Sequence, residues 1–132
     1  MNKTKKRKVR KVLSISDDRL EQIFKLQAKL NRLAGVDVSM LTSAERKEWM
    51  MRFVLAMHQE LAELTETLPY KWWRKRRRRN AHDARQEIVD LLHFVVSLSQ
   101  LSGMDAQQLY DLYVRKNRTN IARQKTRDIA PG

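Results

Sequence analysis

The stretch EIVDLLHFVVSL, residues 87–98, is apolar on most sides of a helix yet carries two acids three residues apart. A helix with so little polar surface is normally central and buried. The pattern predicts a helix from about Asn80 to about Ser102, with Gly103 as its cap. At about 100° per residue, Leu91, Phe94 and Leu98 fall within about 40° of Glu87, and Asp90 about 60° away. An ionised carboxylate on such a face is costly unless it is paired or bound to a cation.

Working outward, the preceding segment repeats the arrangement. Thr42-Ser-Ala-Glu45 reads as a capping box, and apolar positions then run through Trp49, Phe53, Met57 and Leu61 to about Leu68, where Pro69 stops the helix. Glu60 sits in the middle of a stripe formed by Trp49, Phe53, Ala56 and Leu64, with Glu63 at its edge. The pairs ELAE (60–63) and EIVD (87–90) each put two oxygen donors on one face, one turn apart. Two such helices crossing offer four carboxylates to one cavity. Hard oxygen ligands without His or Cys suit Mg²⁺ or Mn²⁺, and Mg²⁺ favours sites shared with substrate phosphates. Salt bridging to Arg or Lys is the alternative.

Two further helices flank this pair. The first is expected near Ser16, with Asp17 and Asp18 in its first turn. Leu20, Ile23, Phe24, Gln27, Leu30, Asn31 and Ala34 follow at helical spacing, and Gly35 suits the stop. Gln27 and Asn31 form an amide pair that offers donors and acceptors together, as reading a base edge requires; the alternative is ordinary boundary polar residues. The last helix is expected after Asp105, with Gln108 reaching back, and to end at about Gln124. Its face is apolar at Leu109, Leu112 and Tyr113, then turns to Lys116, Asn120 and Arg123. Such a face suits a phosphate chain, although cations near a helix C-terminus are favourable in any case. No strand pattern competes. The fold class is all-α, a four-to-five-helix bundle.

Composition bounds the rest. At 132 residues one domain is expected, and 42% apolar residues supply a core without staples. The absence of cysteine excludes disulfides, thiolate metal sites and a cysteine nucleophile. No apolar run approaches a membrane span and no signal-peptide pattern is present, so a cytoplasmic protein without membrane contact is expected. The net charge of +13 is concentrated: residues 1–12 hold seven Lys/Arg and residues 71–79, KWWRKRRRR, another seven, with no acid in either. The remaining body is close to neutral. The expected layout is a disordered basic arm (1–13), one helical domain (14–124) and a polar tail (125–132).

Taken together, LQAKLN (26–31), ELAEL with YKWW ten residues on (60–73), EIVDLLHFVVSL (87–98) and LYDLYVRKNRTNIARQ (109–124) resemble the all-α nucleoside triphosphate pyrophosphatases. Within them the chain looks like the dimeric dUTPases, with MazG-type proteins as further relatives. The resemblance implies Mg²⁺-dependent hydrolysis of dUTP to dUMP and diphosphate. It implies Glu60, Glu63, Glu87 and Asp90 as metal ligands, with Glu60 also orienting or deprotonating the attacking water. It implies Lys116, Asn120 and Arg123 as phosphate and sugar contacts. Gln27 and Asn31 are implied as nucleotide-pocket residues, with Trp73 and His93 as secondary ones; Lys71, at the start of the basic run, is placed to reach substrate. Dimeric members carry an extra helical region that closes over the substrate, and here only residues 101–105 join the last two helices. A compact member could therefore prefer dCTP or a modified nucleotide.

Two other classes compete. A helical nucleic-acid-binding protein would use the basic arm and the arginine loop, with steep salt dependence. A catalytically silent homologue would turn over no triphosphate. The wide apolar surface predicts a homodimer, or a dimer of dimers, with the third helix near the interface.

Overall fold

The computed structural model describes residues 18–75 and 81–129. Four helices follow one another: α1 (Arg19–Leu33), α2 (Ser43–Thr67), α3 (Ala81–Leu101) and α4 (Ala106–Ile129), with a single 3₁₀ turn at Val38–Met40 between the first two. There is no strand among the described residues. The molecule is an all-α bundle, as the sequence predicts.

The boundaries follow from capping chemistry. Asp18 is the N-cap of α1, its carboxylate accepting from the Leu20 and Glu21 amides at 3.0 and 3.1 Å. The helix thus begins at Arg19 rather than near Ser16; Ser16 and Asp17 lie outside the described residues, as do the basic arm and Asn80. Thr42 Oγ1 accepts from the Glu45 amide at 3.2 Å and donates to the Glu45 carboxylate at 3.1 Å. Asp105 and Gln108 form the full reciprocal box, at 2.8 and 2.9 Å.

Both glycine stops are used. Gly35 and Gly103 take φ +90° and +87°, the left-handed region that favours glycine. In each case the residue after glycine donates back to the helix, Val36 to Asn31 O and Met104 to Ser99 O. Helix α4 runs to Ile129, five residues beyond the expected end at Gln124. Nothing between Gln124 and Ile129 is Gly or Pro, so no residue there breaks the helix.

Helices α2 and α3 are antiparallel neighbours. Phe53 meets Phe94 with ring centroids 5.8 Å apart; seven residues further along α2, Glu60 comes opposite Glu87, seven residues back along α3. Helix α1 lies on α3 and on the first turns of α4, where Phe24, Val96 and Ala106 form the core and Leu20, Ile23 and Leu109 pack around it. Helix α3 is central, but only one side of it is covered. Ile88, Val89, Leu92 and Val95 face outward, 40–55% exposed. Helix α2 has no fully buried residue. No helix is long and apolar enough to cross a membrane among the described residues.

Candidate metal and nucleotide site

The antiparallel register of α2 and α3 brings the two acidic pairs together. Glu60, Glu63 and Glu87 each offer a carboxylate oxygen, and the three oxygens lie within 4.8 Å of one another. Glu60 and Glu87 are half-buried and Glu63 is exposed. Asp90 is half-buried one turn further along α3 and adds its negative potential at Glu60, though it stands outside the closest group of three.

The electrostatics of this cluster are unfavourable as they stand. Burial, a hydrogen bond with Glu87 and the charges of Glu63, Asp90 and Glu87 raise the Glu60 carboxyl from 4.5 to about 7. One oxygen of Glu60 and one of Glu87 are buried without a hydrogen-bond partner. Buried carboxylate oxygens are costly when left unpaired. The ion pairs among the described residues do not relieve them: Lys25–Glu21, Arg52–Glu48 and Lys71–Glu66 all lie elsewhere. Among the described residues, no arginine or lysine forms an ion pair with Glu60, Glu63 or Glu87. Hard oxygen donors, convergent and short of counter-charge, fit a divalent cation of the Mg²⁺ or Mn²⁺ type.

The amide pair of α1 is not at a boundary. Gln27 and Asn31 are only 6% and 5% exposed, and they start a buried hydrogen-bond chain. Gln27 Nε2 donates to Asn31 Oδ1 at 3.0 Å, Asn31 Nδ2 to Ser97 Oγ at 3.1 Å, and Ser97 Oγ to the His93 carbonyl at 2.9 Å. His93 is half-buried, its Nδ1 2.8 Å from the Val89 carbonyl on its own helix. Ser97 and Gln100 were not among the sequence candidates. The available signal was a polar residue set inside the most apolar run of the chain. Gln100 Nε2 donates to the Phe24 carbonyl at 2.8 Å, while its Oε1 is buried and unpartnered.

The remaining candidates make other contacts or are exposed. Lys71 is held by Glu66 at 3.3 Å and lies over the Tyr70 ring. Trp73 is 60% exposed and pairs edge-to-face with Trp72. Lys116, Asn120 and Arg123 are exposed on the second half of α4. A cleft of about 650 Å³, lined by Asn31, Arg46, Gln100 and Gln108 among others, opens at the opposite end of α3. Gln100 lies about 20 Å from Glu87 along the helix at about 1.5 Å per residue, so this cleft is distinct from the acidic cluster.

Comparison with known proteins bears on the same elements. The model of the dUTPase family matches residues 19–100, which takes in α1, α2 and nearly all of α3 but not α4. The dCTP pyrophosphatase of Enterobacteria phage T4 is similar, with 30% identity over 84 residues, 62% of this chain and 41% of the relative. The chain thus spans about two-fifths of that relative's length. No solved structure gives a match. With the family model covering more than half of the chain and both acidic pairs inside it, the protein belongs to the dUTPase family.

Proposed function

We propose that the protein is a metal-dependent nucleoside triphosphate pyrophosphohydrolase that converts dUTP and water to dUMP and diphosphate. The observation that carries this reading is the convergence of Glu60, Glu63 and Glu87 with two buried oxygens left without a partner. Glu60, Glu63 and Glu87, with Asp90 beside them, would hold Mg²⁺ or, in its place, Mn²⁺. The bound ion would offset the negative charge shared by substrate and protein and acidify a water.

The chain's own residues have the following roles in this reading. Glu60 orients the attacking water and takes its proton. The water oxygen bonds to phosphorus as the bond to the bridging oxygen breaks, and diphosphate leaves. Lys116 and Arg123 bind the phosphates and steady the charge that develops on the leaving group, and Asn120 contacts the sugar. Gln27, Asn31 and His93 shape the nucleotide pocket, with Lys71 and Trp73 at its margin. This reading takes the cytoplasm as its place of action.

The similar phage protein is named as a dCTP pyrophosphatase, and this favours a second reading in which dCTP or a modified nucleotide is the substrate. A diphosphate-release screen over the common dNTPs, dUTP and modified analogues, with Mg²⁺ or Mn²⁺, decides between the two. Release from dUTP above all others supports the first reading, and release from dCTP the second. A folded protein that releases diphosphate from no triphosphate is the silent homologue, and both readings then fall. We further propose a homodimer, or a dimer of dimers, in which a second copy covers the outward apolar face of α3.

A further inference from the structure

The turn that follows α2 carries more than the marginal pocket role proposed for Lys71 and Trp73 accounts for. Trp72 is 87% exposed and Trp73 60%, with ring centroids 5.6 Å apart and planes at 87°. An edge-to-face pair leaves at least one full indole face open to solvent. Arg74 and Lys75 follow directly and are exposed. Lys71 is spent on Glu66, so it is not part of this field. The sequence from 72 to 79 holds six Lys/Arg and no acid.

We propose that this turn is a docking surface for single-stranded nucleic acid, with Trp72 stacking on an unpaired base and Arg74 and Lys75 meeting the flanking phosphates. Open aromatic faces beside cations are what a single strand requires, because every base has a π-face and every linkage a charge. A duplex hides its base faces, and Tyr70–Lys75 form no helix or strand that could lie in a groove. A single nucleoside triphosphate offers one base and about four charges, so it does not account for two indoles beside so dense a run of cations. An anionic membrane also attracts arginine and tryptophan, and vesicles are therefore one arm of the test.

The test uses the full chain, in EDTA, titrated with a fluorescein-labelled twenty-nucleotide oligo-dT, the matching duplex, and phosphatidylserine vesicles. Oligo-dT is expected to quench tryptophan fluorescence and to bind at least tenfold more tightly than duplex. Trp72→Ala should weaken oligo-dT binding about tenfold with the salt slope unchanged, and Trp72→Phe should restore most of it. Arg74→Gln with Lys75→Gln should weaken binding and lower the slope of log affinity against log salt by about 1.4. Diphosphate release by that double variant should match the unaltered protein, which separates this proposal from the hydrolytic one. Equal oligo-dT affinity in all variants assigns binding to the basic arm and overturns the proposal. So does binding to vesicles without binding to oligo-dT.

Discussion

Glu60 concentrates the cost and the use of this fold in one side chain. Its carboxyl is raised to about 7 by burial and by the acids around it. The sign of the consequence follows from linkage. Between pH 4.5 and about 7 the unfolded chain releases a proton that the folded chain keeps, so stability of the metal-free protein falls with rising pH. Below pH 4.5 the penalty is absent, and above about 7 it is complete. In thermal denaturation with EDTA the contribution of Glu60 is the part removed by Glu60→Gln, which should flatten the decline. Added Mg²⁺ should raise the midpoint more at pH 8 than at pH 5; an equal rise at both would argue against binding to ionised carboxylates here. Glu60→Gln and Glu87→Gln should each lower diphosphate release by at least about a hundredfold, a scale typical of a lost acid–base group. A second residue-scale expectation concerns the amide chain. Asn31→Ala leaves the buried Gln27 and Ser97 without their partner and should cost about 1–3 kcal/mol in urea unfolding.

The helix ends with described caps are written in local chemistry, and this explains why those elements begin and stop where they do. The Asp105–Gln108 box and the Gly103 stop together turn the chain between α3 and α4 within four residues. Gly103→Ala introduces a Cβ that meets nothing within 4 Å, so its cost is conformational alone, about 1–2 kcal/mol for the left-handed backbone. Asp105→Ala should cost about 1 kcal/mol as a lost cap. Both should shift the urea midpoint without changing the slope, since neither alters the surface exposed on unfolding. Helix α2 is different in kind. It has good caps but no fully buried residue, so its place depends on α3 and on the ring contacts of Trp49, Phe53 and Phe94.

The whole molecule has a small core for its length. Among the described residues, the fully buried apolar side chains are Phe24, Val36, Val96, Leu101 and Ala106, while Ile88, Val89, Leu92 and Val95 form an open stripe on α3. A contiguous apolar stripe of this kind marks an interaction surface. Sedimentation at micromolar concentration should therefore show dimers or tetramers, and Val89→Glu with Leu92→Glu should give monomers. A monomer in the unaltered protein would remove the proposed interface.

The sequence alone determined the four helices, their glycine stops, the boxes that open α2 and α4, and the two acid pairs on apolar stripes, while the cap of α1 falls at Asp18 rather than near Ser16. These are encoded by neighbours within a turn or two, as the Thr42–Glu45 and Asp105–Gln108 boxes illustrate. It also carried the family, through motifs whose spacing is local. Only the tertiary structure decided that Glu60, Glu63 and Glu87 converge while Asp90 stands to one side, because this depends on the antiparallel register of two helices. Only it showed that Gln27 and Asn31 are buried against Ser97, a partner 66 residues further along the chain. Helical spacing aligns Lys116, Asn120 and Arg123 on one face, and the packing of α4 through its first turns leaves all three exposed. Periodicity fixes which residues share a face, and packing fixes what that face meets.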